Sequence, residues 1–262
     1  MTTLAQHVSR IAARATRRAG APPNAGRVGR MGRMARIGRA GFIALVALGA
    51  QLAAAGCGGL GWEDYMEAAY HAREDGRYAE AEELLLVAAD YAAEFPPNDL
   101  RRALTLNELA EIFVTEARHG DAEVLYRQAT EIIEAALGPH HVDLAAHLGH
   151  VAAFYAEQDI YTEAEARYER VVAILEAALG WEHPEVAASV AALASVYYHQ
   201  GLYAEAGPLY ERALPVLERE LEADNVRLAE ILEEYASLLR ATNRGAEAAP
   251  LEARARRIRA SP

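Results

Sequence analysis

Apolar and polar residues in the C-terminal three quarters of this chain follow the period of amphipathic α-helices. Large and small apolar side chains recur at intervals of three, one and three residues, as in Leu148, Val151, Ala152 and Tyr155. Residues at these intervals share one face of a helix that turns every 3.6 residues. Short stretches that contain glycine or polar residues separate the segments. The pattern therefore predicts a series of amphipathic helices.

The helical pattern repeats along the chain with a 42-residue period. Leu137-Gly138 aligns with Leu179-Gly180, and Tyr155 aligns with Tyr197. A fixed period of this length is typical of proteins that stack one structural unit many times. We expect five units, at about residues 62–97, 98–140, 141–182, 183–224 and 225–262.

Turn and cap residues stand where the predicted helices end and begin. Gly and Asn accept the left-handed conformation that ends many helices. We expect such turns inside the hairpins at Gly76, Asp159, Gly201 and Asn243. Asp99 and Asn225 are candidate N-caps, and Pro184 can occupy the first position of a helix.

The repeat resembles the tetratricopeptide repeat, in its kinesin light chain variety. The resemblance rests on the 42-residue period, the lead-in His183-Pro184-Glu185-Val186 and the run Tyr203–Leu214. It implies an all-α fold: a right-handed superhelix of about five tetratricopeptide-like helix hairpins, an α-solenoid, over residues 62–262. It also implies a protein-binding scaffold and not an enzyme.

The resemblance further implies that the first helices of the hairpins line a concave groove. The candidate partner-binding residues on these helices are Glu67, Tyr70, Asn107, Glu108, Glu111, His150, Ser195, Tyr198, His199, Glu233 and Glu234. The ends of this groove are rich in acids, and its middle holds small residues such as Gly149, Ala153, Ala191 and Ala192. We therefore expect it to bind a basic or apolar segment of a protein partner. The alternative is that the acids only form a solvated helix surface.

A different pattern occupies the N-terminal part of the chain. Residues 40–55 are uncharged and mostly apolar, Arg33, Arg36 and Arg39 precede them, and the segment ends in Ala54-Ala55-Gly56-Cys57. The order of a positive flank, a short apolar core and small residues is that of a signal peptide. With Cys57 at its end, the segment resembles the signal peptide of bacterial lipoproteins, although Ala54 stands where that family usually has Leu.

This second resemblance implies that residues 1–56 are an exported leader, that Cys57 is lipidated, and that residues 57–61 are a short linker. Acyl chains on Cys57 would hold the protein in a lipid bilayer. We expect a cell-envelope location that faces the periplasm or the cell surface, and Gly58 favours the outer membrane by family analogy. Alternatives are an uncleaved anchor helix over residues 40–62, an ordinary buried thiol at Cys57, and a start at Met31 or Met34 in place of Met1.

Charge is divided unevenly between the two parts. Nine of the 26 Arg residues and none of the 38 acids lie in residues 1–56, so the remainder has a net charge of about −21. An acidic surface of this kind repels nucleic acid, so we expect no nucleic-acid partner. There is no Lys in the chain. Schiff-base and phosphate-loop chemistry that needs Lys is therefore excluded.

No catalytic motif stands out against the helical background, and we expect no cofactor. The acids follow helical surface spacing and should pair with Arg at i, i+4. A second hypothesis is a periplasmic module that binds a small ligand or a metal, centred on His150, Tyr198 and His199. His147 and His150 lie three residues apart, which can present two imidazoles to a metal. Self-association is a third possibility.

Overall fold

The computed structural model describes residues 60–220 and 226–260. Within these ranges the chain forms helices and turns and contains no strand, which confirms the all-α prediction. The helices are α1 Trp62–Glu74, α2 Tyr78–Ala92, α3 Leu100–Thr115, α4 His119–Leu137, α5 Val142–Glu157, α6 Tyr161–Leu179, α7 Pro184–His199, α8 Tyr203–Glu220, α9 Val226–Ala241 and α10 Gly245–Arg259. None of these described helices is both long and apolar enough to cross a bilayer. Cys57, the leader and Asn225 lie outside the described residues.

The helices pair as hairpins in two compact units that divide at Ile132. In the first unit, α1 packs against α2 and α2 packs against α3. In the second, the hairpins are α5 with α6, α7 with α8 and α9 with α10; α6 also contacts α7, and α9 contacts both α7 and α8. Within each hairpin only three residues connect the two helices, as between Glu157 and Tyr161. Four of the predicted hairpins are therefore present as packed helix pairs, and a three-residue turn likewise joins α3 to α4.

The predicted apolar face of each first helix is buried. Leu148, Val151 and Tyr155 are each no more than 5% exposed, and Ala152 is fully buried. Ala164 on α6 is fully buried as well. Because alanine adds little bulk, α5 and α6 can approach closely at these two residues. A larger side chain at either position would overpack the hairpin, at a typical cost of about 1–3 kcal/mol.

Left-handed residues end the first helix of each hairpin, as predicted for Gly76, Asp159, Gly201 and Asn243, whose φ angles are 72°, 58°, 77° and 61°. The same place in the second hairpin is taken by Ala117, with φ 57°. The next N–H then returns to the carbonyl five residues back, as from Arg118 to Phe113. This is the Schellman arrangement, which satisfies the last carbonyls of a helix. Ala117 was not identified from the sequence, because alanine is not a turn residue.

Side-chain caps begin several first helices. Asp99 accepts a hydrogen bond from the backbone N–H of Arg101 at 3.0 Å, which confirms the predicted N-cap. The Arg101 side chain and backbone N–H lower the pKa of Asp99 to about 2. Pro184 is the first residue of α7, also as predicted. His141 and His183 cap α5 and α7, because each Nδ1 accepts from the backbone N–H two residues on, at 3.2 and 3.3 Å.

Candidate functional site

The second unit has a cleft between the first helices α5 and α7, over α6. Its volume is about 500 Å³. We call it the central cleft. Its lining residues are Val142, Ala145, Ala146, Gly149, His150, Ala153, Tyr168, Val171, Leu175, Glu185, Ala188, Ser189, Ala192 and Arg227. Most of the lining is apolar or small, with charged and polar groups set among it, which is the usual make-up of a binding cleft.

Tyr168, which lines the central cleft, lacks the hydrogen-bonded carboxylate that the equivalent tyrosines have among the described residues. Tyr210, one repeat later in the chain, donates a hydrogen bond from its hydroxyl to Glu234 at 2.7 Å. Tyr126, one repeat earlier, donates to Glu111 at 2.5 Å. Each of these tyrosines therefore has a carboxylate at its hydroxyl.

Alanines stand at the corresponding positions around Tyr168. Ala192 lies one repeat before Glu234, and Ala153 lies one repeat after Glu111. Both alanines line the central cleft beside Tyr168. Burial raises the pKa of the Tyr168 hydroxyl, and nearby Arg227 partly offsets this effect. At these two repeat positions, alanine in place of glutamate leaves space beside the Tyr168 phenol, which lies in the cleft.

Gly149 leaves the middle of the α5 side of the cleft open. A Cβ at Gly149 would meet no atom within 4 Å, so nothing inside the chain requires glycine there. Glycine in a helix interior is destabilising by about 0.5–1 kcal/mol relative to alanine. The residue therefore keeps space free at a cost to helix stability.

A second opening, the end pocket, adjoins the central cleft at the C-terminal ends of α5 and α7. Its volume is about 340 Å³, and it shares Tyr168 and Ala192 with the central cleft. The lining residues are Ala156, Glu157, Asp159, Tyr161, Tyr168, Ala192, Ser195, Val196 and His199. A chain segment that lies in the central cleft can therefore reach the end pocket.

Aromatic rings form one side of the end pocket. The rings of Tyr161 and His199 stack with centroids 5.8 Å apart and an interplanar angle of 6°. The Tyr198 ring meets the His199 ring edge-on at 5.2 Å. The Tyr161 hydroxyl donates to Asp159 Oδ1 at 2.5 Å, which fixes the ring beside that carboxylate and raises the pKa of Tyr161.

Several of the sequence-predicted residues of the second unit lie in or next to these openings. His150 lines the central cleft, while Ser195 and His199 line the end pocket. Glu234 accepts from Ser195 Oγ at 3.1 Å and lies 3.6 Å from His199 Nε2. Glu233 instead pairs with Arg259 at 2.8 Å, which lowers the pKa of Glu233. Ala191, also expected in the groove, is buried at 2% exposure, so that expectation was wrong.

In the first unit, Glu67, Tyr70 and Glu108 line a smaller opening of about 250 Å³. Glu108 pairs with Arg73 at 2.7 Å, and burial raises the pKa of its carboxyl. Asn107 is half-buried and has a partner within the chain, and it does not line this opening. Glu111 accepts from Tyr126.

The end pocket contains two acids, Glu157 and Asp159, that were not among the expected groove residues. Glu233 has an arginine partner, and Glu234 accepts hydrogen bonds from Ser195 and Tyr210. Glu157 and Asp159 are exposed, and no ion pair among the described residues includes either of them. The sequence analysis did not identify either acid as a site residue because Glu157 is the last residue of α5 and Asp159 lies in the turn after it, beyond the apolar part of the helix.

The spacing argument for a two-imidazole metal site fails. His147 is buried at 6% exposure, whereas His150 is exposed, so the two rings are not presented together. Across residues 60–220 and 226–260, no group of three or more His, Cys, Asp or Glu could hold a metal ion. The histidines at 141 and 183 act as helix caps.

The sequence profile of the Tetratricopeptide repeat family matches residues 105–177 and 185–261, more than half of the chain. The protein belongs to this family, whose fold generally mediates protein–protein interaction. No curated protein matches the chain.

Solved structures show the same fold. The kinesin light chain-type repeats of Podosopora anserina are 27% identical, with a TM-score of 0.63 over 76% of this chain and 94% of that one. BtubC from P. vanneervenii is 20% identical, with a TM-score of 0.66 over 99% and 92%. Pseudomonas aeruginosa pilF is 21% identical, with a TM-score of 0.51 over 74% and 76%. The likeness to kinesin light chain-type repeats agrees with the sequence resemblance.

Proposed function

We propose that the protein is a lipid-anchored scaffold of the bacterial cell envelope that binds a segment of a protein partner in the central cleft. In this proposal Cys57 carries the acyl chains, and the repeat domain faces the periplasm or the cell surface, with the outer membrane favoured. The domain needs no cofactor and performs no catalysis. Its task is to hold a partner near the membrane.

The central cleft is the observation that carries the binding part of the proposal. Tetratricopeptide proteins bind other proteins, and here the repeat opens where alanine stands in place of two carboxylates of neighbouring repeats. Gly149 keeps the α5 side of the cleft clear, and the Tyr168 hydroxyl offers a donor and an acceptor. A cleft of about 500 Å³ accommodates a few residues of an extended peptide.

Site-specific photo-crosslinking in cells tests the binding part. A photoreactive residue replaces Ala146, an exposed residue of the central cleft, and the matched control replaces Ala173, an exposed residue of α6 outside both openings. We expect a protein adduct from position 146 and none from position 173. The variant Gly149→Trp, which fills the cleft from a position with free space, should abolish the adduct. An adduct from both positions, or one that persists in Gly149→Trp, contradicts a partner in the cleft.

The anchoring part rests on the sequence around Cys57 and is tested by intact mass. The protein is purified from the membranes of its own host. We expect a chain that begins at Cys57 and carries acyl chains. A chain that retains residues 34–56 without acyl groups contradicts the lipoprotein proposal and points to an anchor helix, or to a scaffold inside the cell if it is found in the soluble fraction.

A further inference from the structure

We propose that the end pocket binds the guanidinium group of an arginine in the partner segment. This inference rests on the proposed binding function and names the chemistry that the partner must supply. It follows from the way this chain accommodates its own arginines, from the acids in the pocket, and from the rings beside them.

Several arginines of this protein lie between a carboxylate and an aromatic ring. Arg167 Cζ is 4.4 Å from the centre of the Tyr155 ring, and Arg167 Nη1 is 2.5 Å from Glu163 Oε2. Arg101 Cζ is 3.6 Å from the centre of the Phe95 ring, and Arg101 Nη2 is 2.7 Å from Asp99 Oδ2. The guanidinium plane stacks on a ring face while its N–H groups reach the carboxylate. The fold thus uses this combination repeatedly.

Arg118 has the same arrangement: its Cζ is 3.7 Å from the centre of the Phe113 ring, and its Nη1 is 2.7 Å from Glu82 Oε1.

The end pocket offers both a carboxylate and an aromatic ring as well. Glu157 and Asp159 supply carboxylates, and the stacked pair Tyr161 and His199 supplies ring faces. No arginine is among the described residues that line it. The pocket has the components of an arginine site without an arginine.

Electrostatics in the pocket favour a cation. Glu157 and Asp159 lie at the C-terminal end of α5, where the helix dipole adds negative potential. Glu234 lies behind the pocket, 3.1 Å from the Ser195 hydroxyl and 3.6 Å from His199 Nε2. Arg227 lines the central cleft but not the end pocket. A positive group from a partner would therefore meet uncompensated carboxylates.

Arginine fits the pocket better than lysine does. A planar guanidinium can stack on the outer face of the Tyr161 or the His199 ring, which the other ring does not cover, and donate to a carboxylate at the same time, whereas an ammonium group is a hydrated point charge. The pocket also shares two residues with the central cleft. A bound peptide can therefore project one arginine into the pocket while its backbone stays in the cleft.

Ligand-observed NMR on the full chain in a nonionic detergent tests the assignment. The probes are N-acetyl-arginine amide, its citrulline counterpart, which keeps the shape but has no charge, and N-acetyl-lysine amide. We expect the arginine probe to bind about fivefold or more tightly than the citrulline probe, and more tightly than the lysine probe. Equal affinities for arginine and citrulline, no arginine binding, or a preference for lysine would overturn the assignment.

The variant Glu157→Gln with Asp159→Asn removes both charges with little change of shape. Asparagine tolerates the left-handed backbone of residue 159, so the turn is retained. The control is Glu205→Gln, an exposed acid on α8 outside both openings. We expect the double variant to lose the arginine preference and the control to keep it. A preference that survives in the double variant contradicts the assignment.

The two proposals fail in different ways. If the photo-crosslink from position 146 forms but arginine and citrulline bind alike, the scaffold function stands and the arginine pocket is wrong. If no partner is crosslinked from position 146, the binding part of the proposed function is wrong, whatever the arginine probe shows.

Discussion

Arg170 on α6 forms a two-point ion pair with Glu134 on α4, at 2.7 and 3.2 Å. The pair recurs with the repeat: Arg212 pairs with Glu176, and Arg254 pairs with Glu218. Both partners advance by one repeat each time, so consecutive second helices of this unit are joined by one ion pair each. The sequence predicts i, i+4 pairs within a helix, and Arg167 with Glu163 is one of these. The recurring pairs join different helices instead.

Removing this pair should have a small, salt-dependent effect. The side chains of Arg170 and Glu134 are 36% and 39% exposed, so water screens much of their attraction. A double-mutant cycle with Arg170→Gln and Glu134→Gln should give a coupling energy of about 0.2–1 kcal/mol in urea unfolding. The coupling should shrink in 1 M salt, where the Debye length is about 3 Å.

The control for this cycle is Arg167→Gln with Glu163→Gln, an i, i+4 pair within one helix. Such pairs typically contribute about 0.3–0.5 kcal/mol. A coupling energy for Arg170 and Glu134 that lay well above the range for exposed pairs, at about 2 kcal/mol or more, and ignored salt would contradict the description of a solvent-screened pair.

Some of these features could be predicted from the sequence and others could not. The hairpins, the turn at Asp159 and the cap at Asp99 follow from short-range rules of helix periodicity and helix ends. The ion pair of Arg170 depends on which second helices lie side by side, which a pattern within one helix does not reveal. The recurrence of both partners with the 42-residue period was a usable signal.

The central cleft likewise depends on a comparison between repeats. Its opening follows from Ala153 and Ala192 at positions where other repeats have Glu111 and Glu234. Residue by residue, these alanines are ordinary small groove residues. Only the equivalence of Tyr168 with Tyr210 shows that a carboxylate is missing from the space before the phenol.

Ala117→Gly should stabilise the protein. Ala117 has φ 57°, a left-handed conformation that costs an L-residue with a side chain about 1–2 kcal/mol. Glycine avoids this cost but has more freedom in the unfolded chain, so we expect a net gain of about 0.5–1 kcal/mol in the free energy of unfolding. Urea unfolding measures it.

The matched control is Gly201→Ala at the equivalent turn of the fourth hairpin, where φ is 77°. It should destabilise by about 1 kcal/mol, for the same reason with the opposite sign. If both variants changed the free energy of unfolding in the same direction, the left-handed turn would not be what determines their stability.

Gly149→Ala should also stabilise the protein, for a different reason. Gly149 lies inside α5 with helical geometry, and the added methyl group would meet no atom within 4 Å. Alanine is favoured over glycine in a helix interior by about 0.5–1 kcal/mol. Thermal unfolding should show the gain, and a loss of stability would indicate that the space at Gly149 is not open.

His183→Ala should weaken the start of α7. The Nδ1 atom of His183 accepts from the Glu185 N–H, and loss of a capping side chain typically costs about 1 kcal/mol. His183→Asn retains an acceptor and should stay close to the wild type in urea unfolding. His140→Ala, at an exposed linker histidine, is the control and should change stability by less than about 0.5 kcal/mol. Equal losses in the Ala and Asn variants would contradict the capping role.

Alkaline pH should destabilise the protein partly through Tyr235. Burial and the nearby Glu211 raise the pKa of Tyr235 to about 12, against about 10 for an unfolded chain. A raised pKa in the folded state means that the contribution is fully present below pH 10 and is lost as pH rises toward 12. The free energy of unfolding, measured in urea between pH 9 and 11.5, should fall less steeply for Tyr235→Phe than for the wild type. Tyr78→Phe, at an exposed phenol, should keep the wild-type slope, and an unchanged slope in Tyr235→Phe would show that this phenol does not couple folding to pH.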